Sequence, residues 1–318
     1  METTLARTTE TGTEIAATVP GADELVAAFL AGRSANTVAA YRRDLDDFAA
    51  FIGAATAADA ARVLLAGGHG AANLAALRYR AHLSERRLAA ATINRRLAAL
   101  RSLVALARTV GMVGWTLEVG SVRAEAYRDT RGPGEDGFRQ LLGQLERRND
   151  GKGRRDRALV HLLYDLALRR GEAVALDLAD VNLAAGKVAV CGKGRTEKTP
   201  QTLPPQTVAA LAAWIAVRGI APGPLFLNAD RAGKGGRLTG RSVARIVGGL
   251  GLAVGLAVRP HGLRHAAITA GLDATGDVRK VQKFSRHADL RTLQRYDDNR
   301  ADFAGEVARL VAARVAVG

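Results

Sequence analysis

Apolar positions in the first third of the chain recur at three- and four-residue steps. In "SANTVAAYRRDLDDFAAFIG" they are Val38, Tyr41, Leu45, Phe48 and Ile52, one stripe of an amphipathic helix. "TINRRLAALRSLVALARTVG" repeats the plan with Ile93, Leu97, Leu100 and Val104, and Gly111 supplies a stop. The stretch from Ser34 to Val113 therefore reads as helical. Arg42, Arg43, Arg95, Arg96, Arg101 and Arg108 lie off the stripes and are expected on the opposite faces.

Between Gly120 and Asp136 this period is lost. "SVRAEAYRDTRGPGED" is polar, charged and punctuated by Gly-Pro-Gly, the composition of a linker. Beyond it the periods mix. "GFRQLLGQLERR" and "RRDRALVHLLYDLAL" read as helices. "GKVAVCGKGRTEKTPQTLPP" reads as two short strands around a Gly-rich turn, because "KVAV" is rich in β-branched residues and Gly-Lys-Gly interrupts it. "VARIVGGLGLAVGL" and "PHGLRHAAITAGLDA" are helical again, and the tail "DFAGEVARLVAARV" carries Phe303, Val307, Leu310 and Val311 on one face. The expectation is a mainly α chain with a small β-sheet (α+β). It divides into a loose leader over 1–19, a helical domain over 20–118, a linker over 119–134 and a second domain over 135–318. The terminal amphipathic helix would dock on its own domain or on a neighbour.

Composition sharpens this picture. At roughly 150 residues per domain, 318 residues suit about two domains, and a hydrophobic content of 48% supports real cores. Against 31 Asp and Glu stand 46 Lys and Arg, a net charge of +15. Such an excess favours a polyanionic partner, nucleic acid above all, with an anionic membrane surface as the rival. No run of about 18 uncharged apolar residues is found, so no bilayer span is expected. "METTLARTTETG" has Thr and Glu where a secretory signal needs an apolar core. The single cysteine, Cys191, excludes an internal disulfide framework and fits a reducing cytoplasm. With nucleic acid as the partner, Arg42, Arg43, Arg95, Arg96 and Arg101 become candidate phosphate contacts, against the plainer reading that they solvate helix faces.

The scarce histidines, six in all, mark the candidate chemistry. In "RPHGLRHAAITAGL", His261 and His265 stand four apart on one helix face, a spacing compatible with zinc. Gly262 and Leu263 occupy the place of a metalloprotease general base and no third ligand is near, so no metal is expected. His265 alone reads as a cap or core residue. Arg264, at i+3 from His261, changes the balance: a guanidinium fork beside an imidazole suits a phosphate. Compatible groups recur elsewhere. "LRRGE" sets Arg169 at a helix end with Glu172 in reach to orient it; "CGKGRTEK" sets Lys193 at a hairpin tip; "FSRHADLRTLQRYDDNR" supplies His287 and Tyr296.

In this order and spacing these residues resemble the tyrosine recombinases, the integrase-type site-specific DNA recombinases. Arg169, Lys193, His261 with Arg264, His287 and Tyr296 match the family's six catalytic positions, and "NTVAAYRRDLDDFAAF" and "ATINRRLAALRSL" look like its helical core-binding domain. The resemblance implies an N-terminal SAM-like domain and a C-terminal catalytic domain clamping double-stranded DNA at a specific recombination site. It implies that Arg169 and Arg264 hold the non-bridging oxygens, that His287 donates a further hydrogen bond, and that Glu172 orients an arginine. Tyr296 would attack phosphorus to give a 3′-phosphotyrosine, with His261 accepting its proton and Lys193 protonating the leaving 5′-oxygen. No metal, ATP or other cofactor is implied. Four protomers would assemble on two sites through a Holliday junction, the terminal helix packing on a neighbour, with or without an accessory partner protein, in the cytoplasm at the nucleoid and away from membranes. A topoisomerase of type IB and a DNA-binding regulator without catalysis are the alternatives. One departure stands out: the family commonly carries Leu-Gly before the last histidine, and here Ser285 and Arg286 stand there. Arg286 is expected either to alter the presentation of His287 or to add a DNA phosphate contact.

Overall fold

The computed structural model of the chain describes residues 21–123, 132–192, 197–229, 235–290, 293, 305, 308–309 and 311–312. The chain divides into two compact units, one up to Ala126 and one from Tyr127.

The first unit is helical: α1 (Ala22–Leu30), α2 (Ala35–Ile52), α3 (Ala57–Ala66), α4 (Gly68–Glu85) and α5 (Ala90–Thr109). Local chemistry sets the boundaries. Ser34 opens α2 by accepting from the Thr37 N–H, and Thr56 opens α3 by accepting from that of Asp59 at 3.0 Å. Gly53 closes α2 in the left-handed region at φ 72°. The expected stripes point inward: Leu45, Phe48, Ile93, Leu97, Leu100 and Val104 are buried, joined by Phe29, Tyr79 and Leu83.

The sequence pattern starts the linker at 119, yet Leu117 and Val119 are buried in this core and Val122 packs against it. Asn94 and Val122 exchange two hydrogen bonds, at 2.8 and 2.7 Å, and Arg101 donates to the Val119 carbonyl at 2.7 Å. A helical period cannot register this segment, whose apolar residues alternate as in an extended chain. The remaining tether, 124–131, lies outside the described residues, as does the leader over 1–19. Arg96 and Arg101, candidate phosphate contacts or solvated cations by sequence, are engaged inside the unit. Arg96 is 15% exposed and binds Asp47 at 2.5 Å, with Asp44 at 3.8 Å. Arg95 pairs with the buried Asp44 as well. A carboxylate on the inner side of α2 requires a counterion, and α5 supplies it. Arg42 and Arg43 stay exposed.

The second unit orders its elements as α6 (Gly134–Glu146), α7 (Gly151–Asp165), α8 (Arg170–Ala175), β1 (Val181–Asn182), β2 (Lys187–Cys191), β3 (Lys198–Thr202), α9 (Pro205–Arg218), α10 (Gly240–Ala253), α11 (Pro260–Thr275) and α12 (Val278–Ser285). The mainly helical α+β class holds, with one antiparallel sheet in the order β1-β2-β3 and Val188 opposite Gln201. β2 turns Val188 and Val190 into the core. α7 is the central helix: Leu159, Leu162 and Leu163 are fully buried, and it packs on α6, α8, α9 and α11. Its end differs from expectation. The apolar pattern runs to Leu168, but the helix stops at Asp165 and Ala167 takes a left-handed conformation at φ 46°. At this turn the Ala167 carbonyl accepts from Arg264 and Arg286. Gly132, also left-handed, lies so close to α11 that an added Cβ would stand 1.9 Å from the Gly262 carbonyl oxygen. The start of the Gly-Pro-Gly segment is thereby pinned over the first turn of α11. Among the described residues no single helix is long and apolar enough to cross a membrane.

Candidate active site

Arg169 and Glu172 form one local unit. Arg169 is the N-cap of α8, and Glu172, in the helix's first turn, reaches back to it. The Arg169 backbone N–H donates to Glu172 Oε2 at 2.9 Å, and its Nη1 donates to Oε1 at 2.7 Å. Glu172 is 4% exposed, whereas Arg169 is 28% exposed and keeps an edge toward solvent. Burial alone would raise the Glu172 pKa, but the Arg169 backbone N–H and the Arg286 and Arg169 guanidinium groups outweigh it and hold the carboxyl below its ordinary value.

Pro260 at the first position of α11 starts that helix, so His261 and Arg264 fall in its opening turns. Arg264 is only 1% exposed. It donates to the carbonyls of Ala167 and Ser285, and its Nη2 lies 3.1 Å from His287 Nε2. A guanidinium has no acceptor, so that imidazole nitrogen must accept. Ser285 Oγ donates to the Gln282 carbonyl at 3.3 Å and lies 2.9 Å from His287 Nδ1. The ring proton is accordingly assigned to Nδ1, donating to Ser285. In this arrangement His287 Nε2 accepts from Arg264, whereas the resemblance implies that His287 donates a hydrogen bond to phosphate.

Arg169, Arg170, Gly171, Ala244, Arg259, Pro260, His261 and Arg264 line an open cleft of about 490 Å³. Four arginines and a histidine line it with no carboxylate among them, a charge that suits an anion. Arg170 and Arg259 were missed as site residues, although each adjoins a motif residue in "LRRGE" or "RPHG". His261 is exposed at the cleft mouth. Crowding by protein atoms, then the charges of Arg264 and Arg169, lower its pKa. His287 is driven down to about 4, by desolvation first and then by Arg264, Arg169 and Arg286. Both imidazoles are neutral at pH 7. His265 is buried on α11 with Thr269 Oγ1 3.4 Å from its Nδ1, a core position.

The sign of the pH effect follows. The unfolded chain binds protons on these histidines near pH 6.5, while the folded protein resists protonation until lower pH, so stability present above 6.5 is lost as pH falls toward 4. Discounted for solvent screening of a half-buried ring, His287 contributes about 1–2 kcal/mol, roughly 3–6 °C in Tm. Thermal melts at pH 7.5 and pH 4.5 test this: His287→Gln should show a smaller drop than the wild type, and an equal drop would contradict it.

Arg286, expected either to alter the presentation of His287 or to add a DNA phosphate contact, points inward. It is 10% exposed and binds the Leu166 and Phe284 carbonyls at 3.0 Å, the Ala167 carbonyl at 3.1 Å and Glu172 Oε2 at 3.1 Å. Its long side chain crosses from the end of α12 to the turn after α7, where interior acceptors await it. Lys193 and Tyr296, and most of the expected terminal helix, lie outside the described residues. The hairpin strands β2 and β3 are in place, and β2 packs on α8. Leu293, three positions before Tyr296, is buried in a cluster with Ala167, Ala267, Ile268 and Val281.

Comparison with known proteins adds three findings. Residues 135–302 match the Phage integrase family, and residues 29–110 match the Phage integrase N-terminal SAM-like domain. A tyrosine recombinase of Synechocystis sp. is 40% identical over 287 residues, covering 88% of this chain and 91% of the relative. One of Synechococcus elongatus is 43% identical over 282 residues, covering 86% and 88%. Among solved structures, the Tn1549 transposon integrase in complex with transposon right end DNA aligns with a TM-score of 0.67 at 16% identity, over 94% of this chain and 100% of that one. The XerH site-specific recombinase bound to palindromic difH substrate aligns with a TM-score of 0.60 at 20% identity, over 73% of this chain and 71% of that one. These structural likenesses establish a common fold.

Proposed function

The chain belongs to the phage integrase family of tyrosine recombinases, enzymes that exchange DNA strands, and from that premise we propose that it cleaves and rejoins duplex DNA at a specific recombination site through a 3′-phosphotyrosine on Tyr296. The observation that carries this reading is the carboxylate-free cleft in which Arg169, Arg264 and a neutral His261 meet.

A phosphodiester resists attack because its negative charge repels nucleophiles and its alkoxide leaves poorly. Two guanidinium groups on the non-bridging oxygens answer the first obstacle. Each such preorganised donor is worth roughly 3 kcal/mol in the transition state, about a hundredfold in rate. The Tyr296 phenol, of ordinary pKa about 10, must lose its proton on attack, and an unprotonated His261 can take it. The Tyr296 oxygen bonds to phosphorus, the bond to the 5′-oxygen breaks, and Lys193 gives that oxygen its proton. The phosphate ester energy stays on the enzyme, so a 5′-hydroxyl from another strand reverses the step without ATP. His287 sets Arg264 in the resting enzyme; the negative charge of a bound phosphodiester raises its pKa and turns Nε2 into a donor.

Arg42 and Arg43 are the arginines of the first unit proposed to meet DNA phosphate. The boundaries proposed are a helical core-binding domain, a tether and a catalytic domain whose terminal helix docks on a neighbouring protomer in a tetramer on DNA. The active assembly passes through a Holliday junction, with or without an accessory protein.

A sulfur atom at the bridging 5′ position leaves without protonation, so it isolates the general acid. Lys193→Ala is expected to slow cleavage of normal DNA roughly a hundredfold or more and to recover near wild-type rate on the sulfur-substituted strand. Equal impairment on both substrates would remove Lys193 from that role.

A further inference from the structure

Arg286 stands where a glycine would be conformationally at ease. It is the C-cap of α12 with φ 56° and ψ 37°, a left-handed conformation that side-chain-bearing residues rarely adopt. The resemblance makes the point sharper, since glycine is common there. A residue held in strained backbone persists where its surroundings hold it. Here the surroundings are four acceptors: the carbonyls of Leu166, Phe284 and Ala167 and the carboxylate of Glu172. Two of these acceptors are shared with the arginines of the cleft. Glu172 Oε2 takes hydrogen bonds from both Arg286 and the Arg169 backbone N–H, while Oε1 takes the Arg169 side chain. The Ala167 carbonyl takes hydrogen bonds from both Arg286 and Arg264.

We propose that Arg286 is a positioning residue for both phosphate-binding arginines, fixing Arg169 through Glu172 and Arg264 through the Ala167 carbonyl. This rests on the reading of Arg169 and Arg264 as the phosphate clamp. The geometry gives the strut its logic. Glu172 carries one negative charge in the interior, and with Arg169 alone it could swing toward either the α8 cap or solvent. A second cation anchored on Leu166 and Phe284 locks the carboxylate plane, and with it the direction of the Arg169 fork. The left-handed turn at Ala167, unusual for alanine, is held by two guanidinium groups on its carbonyl. Among the described residues, the charged groups that face Glu172 are Arg169, the cap of its own helix, and Arg286 from the end of α12.

Arg286→Gly removes the side chain and supplies the residue best suited to that backbone, so the fold should persist. The assay is single-turnover cleavage of a nicked suicide duplex carrying the recombination site. Expected is a cleavage step slowed roughly 10- to 100-fold at saturating DNA, with DNA affinity unchanged, as for a misaligned rather than missing clamp. Without Arg286 the buried Glu172 loses an opposing charge and protonates at higher pH, so the acid limb of the rate should move upward relative to the wild type. Millimolar guanidinium should restore part of the rate and urea should not. Arg286→Lys should also be slow, because one ammonium cannot reach acceptors arranged for a planar fork. Wild-type cleavage by Arg286→Gly, loss of fold in both variants, or slow cleavage with neither pH displacement nor guanidinium rescue would each overturn the proposal. A wild-type enzyme that forms no adduct would instead overturn the clamp reading itself.

Discussion

Tyr296→Phe is expected to bind the recombination site as the wild type does and to form no covalent adduct on a nicked suicide duplex. The substitution removes one oxygen atom, the one proposed to replace the 5′-oxygen on phosphorus. No other group can store the ester in its place, so the loss should be roughly 10⁴-fold or more, effectively complete in a gel assay. Binding should persist because affinity for duplex DNA is spread over many cationic contacts, in a chain of net charge +15, and not over one hydroxyl. A phenylalanine variant that still carried DNA covalently through denaturing electrophoresis would remove Tyr296 from the mechanism.

The second large effect is expected at Arg264, where chemistry and stability coincide. Arg264→Ala withdraws the donor from the Ala167 and Ser285 carbonyls and from His287 Nε2, all at a position 1% exposed. The Ala167 carbonyl keeps its hydrogen bond from Arg286, so the loss falls on the Ser285 carbonyl and His287 Nε2; at about 1–3 kcal/mol for each it comes to roughly 2–5 kcal/mol, on the order of 10 °C in Tm. Loss of a phosphate donor adds a cleavage defect of about a hundredfold or more. Arg169→Ala offers the contrast. Arg169 is partly exposed, and its removal leaves Glu172 still paired with Arg286. It should lose cleavage to a similar degree with a smaller change in Tm. Calorimetry and single-turnover kinetics on both variants separate the two contributions; equal Tm losses would mean that Arg264 is no more structural than Arg169.

Local patterns in the sequence carried the elements that build the site. The stripes through Leu45 and Leu97 are core because a 3.6-residue period leaves little choice of face. Pro260 starts α11, and Glu172 three residues after Arg169 signals the capping contact that orients it. What the sequence hid is long-range or conformational. Asp44 pairs with Arg95 across 51 positions, and no local pattern reveals that a carboxylate on α2 faces inward. The left-handed turn at Ala167 carries no glycine to announce it, so the apolar run in "LLYDLAL" reads as unbroken helix. Arg286 reads from the sequence as altering the presentation of His287 or adding a DNA phosphate contact, and only the acceptors gathered behind it by folding draw it inside. The residues after α5 were legible in principle: Leu117 and Val119 alternate, the mark of extended chain on a core.

The most direct measurement identifies the atom that carries the DNA. The covalent complex formed on a nicked suicide duplex is digested with nuclease and trypsin, and the modified peptide is sequenced by mass spectrometry. Cleavage after Arg295 and Arg300 should release Tyr296–Arg300 carrying a nucleotide 3′-phosphate on Tyr296. A nucleotide on any other residue, or an adduct linked through a 5′-phosphate, would contradict the account.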